Sequence, residues 1–141
     1  MKLRVIGFLA LLICIIAIAS CQSDEEQEFK RYYTGGAAIY KAKCQNCHGA
    51  NGEGLSSLIP PLTDTAYLNK NRAQLACFVK YGIKETIITV KGKAYEGAMP
   101  ANVDMPAIEI AKVITYVGNS FGNKMGLIPV NEIDADLAKC K

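Results

Sequence analysis

The chain divides by polarity before any single residue is considered. Val5 through Ala19 is almost wholly apolar, and no Asp, Glu, Lys or Arg occurs from Val5 through Gln22. The acidic run Ser23-Asp24-Glu25-Glu26-Gln27-Glu28 follows at once. Beyond it the apolar positions become periodic. Gly36, Ile39, Tyr40 and Lys43 fall at helical spacing and predict a helix over 29–43, with Ala37 and Ala38 small enough for close approach. Gly49, Gly52 and Gly54 predict a loop that ends at Pro60-Pro61-Leu62. Asp64 or Thr65 can cap a short helical turn through Leu68. Asn71 is placed to cap a helix over 72–81, which Gly82 stops. Ile87-Ile88-Thr89-Val90 and Lys93-Ala94-Tyr95 predict a small hairpin, and Gly97-Ala98-Met99-Pro100 an irregular turn. Ile110, Val113, Ile114 and Val117 form the apolar stripe of a helix over 106–117, with a proline in its first turn. Gly118-Asn119 ends that helix, and the residues through Cys140 read as a tail.

The expected fold class is therefore all-α: three or four short helices joined by long loops, with at most a tiny hairpin. Short helices and glycine-rich loops provide a thin apolar core for about 110 residues. Another group is expected at the centre.

The N-terminal pattern has its own meaning. A short basic start, Met1-Lys2-Leu3-Arg4, precedes an apolar stretch of about 15 residues with small residues at its end, which describes an export signal. A membrane-spanning helix requires about 20 residues. Ile18-Ala19-Ser20-Cys21 resembles the bacterial lipobox, where cleavage occurs before a lipid-modified cysteine. That resemblance implies a signal peptide over 1–20, an acylated Cys21, an acidic solvated tether over 21–29 and a folded domain over 30–141. The alternative is a plain N-terminal anchor with an incidental cysteine. Either way the domain is expected to be exported and held at a membrane of the bacterial cell envelope, facing the periplasm or the cell surface.

Charge adds little. From Phe29 onward the chain carries 14 basic and 9 acidic side chains, a net charge of +5. This suits an acidic protein partner and gives no sign of a nucleic-acid surface. A monomer is expected.

Six cysteines occur, at positions 14, 21, 44, 47, 77 and 140. Cys14 lies in the signal, and Cys21 carries the lipid. Cys44 and Cys47 belong to the motif described next. Cys77 and Cys140 remain, and in an oxidising compartment they are expected to form a disulfide. The alternative is two unpaired thiols, one in a core and one on a frayed end.

Cys44-Gln45-Asn46-Cys47-His48 contains the chain's only histidine. It is the C-x-x-C-H arrangement of c-type haem attachment. Two thiols three positions apart on a helical turn can each bond one haem vinyl group, and the next histidine can bind the iron. A thioredoxin-type reading needs an alternating strand–helix framework that this pattern lacks. A zinc reading needs more ligands, which only Cys77 and Cys140 could supply. Export, helical context and the thin core agree with one covalent haem c.

The domain from Gly36 to about Asn123 resembles monohaem class I cytochromes c, especially bacterial lipoprotein cytochromes. Besides the haem motif, the resemblance rests on Gly36 and Tyr40 before it and on Gly49-x-x-Gly52-x-Gly54 and Pro60-Pro61-Leu62 after it. It extends through Val90-Lys91-Gly92-Lys93-x-Tyr95-x-Gly97-x-Met99-Pro100 and Ile110-Ala111-Lys112-Val113-Ile114-Thr115-Tyr116. It implies helices wrapped around one haem, with Gly36 and Tyr40 of the first helix crossing the last at Tyr116. It implies that the Pro60 carbonyl accepts a hydrogen bond from Nδ1 of His48. It also implies a methionine as second axial ligand, from the loop before the last helix. Met99 has that loop context; Met105 falls where a packing residue is expected.

Candidate pocket walls are Leu55, Leu58, Leu62, Leu75, Phe78, Val90 and Tyr95, each of which could equally be ordinary core. Lys41, Lys43, Lys91 and Lys93 are candidates for a ring around an exposed haem edge. With His48 and Met99 on the iron, no position is open to a small-molecule substrate. The expected function is then a membrane-anchored one-electron carrier for a respiratory chain or terminal reductase, without catalytic activity of its own. Two alternatives are a haem subunit of a larger oxidoreductase complex and a peroxidase or gas-binding protein with a displaceable methionine.

Overall fold

The computed structural model describes residues 24–84 and 86–140. The expected signal peptide and the candidate lipidation site Cys21 lie outside the described residues. Six helices and one hairpin occur among them. In chain order they are α1 (Asp24–Lys43), α2 (Gln45–His48), α3 (Thr65–Lys70), α4 (Arg72–Tyr81), β1 (Ile88–Val90), β2 (Lys93–Tyr95), α5 (Ala107–Val117) and α6 (Val130–Leu137). The two strands pair antiparallel, with Ile88 opposite Tyr95 and Val90 opposite Lys93. The fold class is all-α, as the polarity pattern predicts. Among the described residues no helix is long and apolar enough to cross a membrane.

The first helix starts earlier than its apolar spacing indicates. Residues 24–28 were expected in a solvated tether, yet they form the first turns of α1. Asp24, Glu25 and Glu26 sit at the positive end of the helix dipole, and Glu26 pairs with Lys30 one turn on. Buried Tyr32 and the stacked rings of Phe29 and Tyr33 continue the packing toward that end.

Helix α1 packs most extensively on α5. Gly36 makes the crossing possible: a Cβ there would collide with the Lys112 carbonyl oxygen and lie 2.7 Å from Cβ of Tyr116. Around this point Tyr33, Tyr40, Tyr116 and Phe121 form a cluster with ring centroids 5.2 to 5.8 Å apart. Such pairs contribute about 0.5–1.5 kcal/mol each beyond their burial.

The loops fold as their residues dictate. Asp64 caps α3 by accepting from the amides of Ala66 and Tyr67. Asn71 starts α4 without a side-chain cap; its amide instead donates to the Tyr67 carbonyl, fastening α3 to α4. Gly82 ends α4 with φ of +74°.

The segment after α5 is not a tail. It forms α6 behind Pro129, and Ile128 and Ile133 join the core. Thr115 on α5 accepts from the Ile128 amide, Arg72 makes a two-point ion pair with Glu132, and Cys77 is joined to Cys140 in a disulfide. One apolar stripe, Ile133 with Leu137, holds this short helix against α4 and α5.

Candidate haem site

Between α1, α4, α5 and the loops lies an apolar cleft, partly open to solvent. Its lining is almost wholly apolar, as suits a large apolar ligand held by a few polar groups. Cys44, His48, Pro60, Leu62 and Met99 all line it.

One helical turn presents the motif. The amides of Cys47 and His48 both donate to the Cys44 carbonyl, at 3.1 and 3.0 Å, which sets the three side chains at i, i+3 and i+4. Neither cysteine is in a disulfide; Cys47 is exposed and Cys44 half-buried at the cleft. Burial pushes the Cys44 thiol up to about 11, so it is neutral at ordinary pH. Tyr40, beneath the motif, donates to the Gly49 carbonyl at 2.7 Å and fixes the turn that follows His48.

Burial lowers the His48 pKa, and the Pro60 carbonyl, acting on the ring as an acceptor, offsets part of that fall. The contact falls short of full hydrogen-bond geometry, and Nδ1 is buried without a completed bond. The loop bearing Pro60 is itself held. Buried Asn123 donates to the carbonyls of Leu62 and Val117, at 2.7 and 2.9 Å, and accepts from Thr65. The end of α5 thus fixes the loop beside the histidine. A buried, fully satisfied Asn past the last apolar stripe is the kind of residue that polarity alone does not reveal.

Met99 is positioned by backbone pairing. Its amide and carbonyl exchange bonds with Ile83 at 2.9 Å each. Further along, Asn102 donates to the carbonyls of Lys80 and Val79, and the Lys80 ammonium donates to the Met105 carbonyl. The irregular segment 99–105 is thereby sewn to the C-terminal end of α4. Met105 does not reach the cleft; it is only 4% exposed, within the helical core.

The other sequence-based wall residues divide. Leu62, Leu75 and Phe78 line the cleft. Leu55 and Leu58 do not, being 54% and 55% exposed on the loop after the motif. Tyr95 and Val90 are buried in the hairpin rather than at the cleft, and the Lys93 ammonium covers the Tyr95 ring at 5.3 Å. Residues that the periodicity did not single out complete the wall, among them Tyr67, Val79, Ile83, Ile88 and Met125.

The donor set fits a covalently held haem: the Cys44 thiol, an imidazole and a thioether line the apolar cleft, and the exposed Cys47 thiol stands one helical turn from Cys44. It fits zinc poorly. Cys77 and Cys140 are bonded to each other, and no group of three or more His, Cys, Asp or Glu among the described residues could hold a metal ion.

Comparison with known proteins agrees. The family described as cytochrome c oxidase, cbb3-type, subunit III matches residues 32–117. The chain belongs to this cytochrome c family. Its cofactor is haem c, covalently bound. It is 33% identical over 92 residues to a cytochrome c-552 of Thermus thermophilus, covering 62% of this chain and 69% of that protein. A second cytochrome c-552 from a Thermus thermophilus strain is equally similar, with 61% of its length covered. The fructose dehydrogenase cytochrome subunit of Gluconobacter japonicus is 28% identical over 127 residues, covering 83% of this chain but 25% of that subunit. Electron transfer is the function these similarities support.

Proposed function

We propose that this cytochrome c is an exported, lipid-anchored one-electron carrier with a single haem held by Cys44, Cys47, His48 and Met99. The observation that carries the reading is that His48 and Met99, 51 positions apart on separate elements, line one apolar cleft, while Met105 is sealed in the core.

Bound there, haem c supplies a reversible one-electron Fe(III)/Fe(II) couple. Cys44 and Cys47, one helical turn apart, bond its two vinyl positions as thioethers. His48 and Met99 would both hold the iron, leaving no position for a substrate. The soft methionine sulfur and the apolar walls favour the less charged ferrous state. With a small closing movement, the Pro60 carbonyl beside the His48 ring would accept from its Nδ1 and orient it. Lys41, Lys43, Lys91 and Lys93 are all exposed and suit an acidic docking face on a redox partner. Anchoring rests on Ile18-Ala19-Ser20-Cys21 and the apolar stretch before it.

A second reading, a haem subunit of a larger oxidoreductase, is supported by the similarity to a dehydrogenase cytochrome subunit. Mild detergent extraction separates the two: a free carrier elutes alone and haem-loaded, a subunit with its complex.

The test of the main reading is mass and spectrum. The purified protein should exceed the mass of its lipid-modified chain by one haem and show c-type bands when reduced. Release of the haem into acidified organic solvent would contradict attachment at Cys44 and Cys47. Binding of carbon monoxide by the reduced protein at neutral pH would contradict a closed iron and favour gas or peroxide chemistry.

A further inference from the structure

The family match ends at residue 117, yet the segment after it returns to the cleft. Met125 lines the same cavity as His48 and Met99. Its backbone is held at both ends: the amide donates to the Gly118 carbonyl at 2.8 Å, and the carbonyl accepts from the Arg72 guanidinium at 3.3 Å. The next residue is clamped as well, because the Asn119 side chain both donates to the Gly126 carbonyl and accepts from its amide, at 2.7 and 2.9 Å.

Gly118 leaves the room this placement needs. A Cβ there would lie 3.0 Å from Sδ of Met125 and 3.2 Å from its Cβ, tighter than ordinary contact. Arg72 is in turn fixed by Glu132 on α6. Three side chains and one glycine thus aim a single thioether at the cofactor cleft from outside the matched domain.

We propose that Met125 packs against the haem as a cavity wall supplied by the C-terminal segment, and that by excluding water it raises the reduction potential. This rests on the reading that the haem occupies this cleft. The physical reason is that oxidation adds a positive charge to the iron centre, and an apolar wall disfavours that charge where water or an amide would stabilise it. Met125 is not needed as an axial ligand in this scheme; it acts as a flexible, polarizable filler of the gap beside Gly118.

The experiment is NMR of the holoprotein labelled at its methionine methyl groups, reduced and then oxidised, with potentiometry of two variants. Loss of a peak in Met125→Leu assigns that methyl. The expected result is a large displacement of the Met99 methyl and a clear displacement of the Met125 methyl between states, with the Met105 methyl little moved. A displaced Met99 with Met125 as still as Met105 overturns the inference alone. No displaced methionine overturns both the inference and the siting of the haem. In potentiometry, Met125→Gln should lower the ferrous-to-ferric ratio at fixed ambient potential about tenfold, which is about 59 mV for one electron. Met125→Leu should stay within about twofold of the parent. A Gln variant within that same twofold range would overturn the potential-raising role.

Discussion

Gly36 on α1 lies directly against the Lys112 carbonyl on α5, so the two longest described helices meet backbone to backbone. Adding a methyl group there must push them apart, because the obstacle is main chain rather than a flexible side chain. Gly36→Ala should destabilise the holoprotein by about 1–3 kcal/mol or more. Gly35→Ala is the control: its Cβ would meet only the end of the Lys112 side chain, at 3.1 Å, and alanine is the better helix former by about 1 kcal/mol. Thermal unfolding should show the first variant well below the parent and the second at or above it.

Tyr40 ties the helix crossing to the haem motif and also makes stability pH-dependent. Burial raises its phenol well above the usual 10, and burial likewise raises Tyr32 and Tyr67. Because these folded-state values exceed the unfolded one, their contribution is intact below about pH 10 and is lost as pH rises toward them. Urea unfolding at increasing pH should show stability declining from about pH 10. Tyr40→Phe should flatten that decline, while costing about 0.5–1.5 kcal/mol at pH 7 by leaving the Gly49 carbonyl only its long 3.5 Å bond from the Gly52 amide.

The Cys77–Cys140 bridge closes a separation of 63 residues and pins α6 to α4. On the loop-entropy relation its loss costs about 4 kcal/mol. Cys140→Ser should lower the melting temperature and make it insensitive to reductant, whereas the parent should fall to the same value when reduced. Equal melting of the parent with and without reductant would mean that the bridge carries no stability.

Much of this architecture is written in local pattern. The α4 boundaries follow from Asn71 and Gly82, the hairpin from two β-branched and aromatic runs, and the α5 stripe from Ile110, Val113, Ile114 and Val117. What escaped was set by contacts distant in sequence. Helix α6 is eight residues long, and its signals are only Pro129 at the start and Ile133 with Leu137 one turn apart. Tertiary packing, not propensity, makes so short a helix stable. Residues 24–28 read as solvent-loving because they are acidic, yet acids suit a helix N-terminus. At the candidate site, motif and loop context single out Cys44, His48, Pro60, Leu62 and Met99, and these line one cleft. Tyr95 is buried in the hairpin instead of lining the cleft, because an aromatic flanked by loop residues fits a cofactor wall and a hairpin interior equally well. Met125 lies beyond the expected ligand loop, and the places of Met125 and Asn123 depend on where the chain returns after α5.

The central claim is that Met99, and not Met105, would join His48 in holding the haem iron. The direct measurement is the weak methionine-to-iron charge-transfer band of the oxidised protein, compared among the parent, Met99→Ala and Met105→Ala. The band should vanish in Met99→Ala. It should persist in Met105→Ala, which should instead lose about 2–5 kcal/mol of stability as a core truncation. A Met99→Ala protein that keeps the band and an unchanged low-spin spectrum would contradict the account.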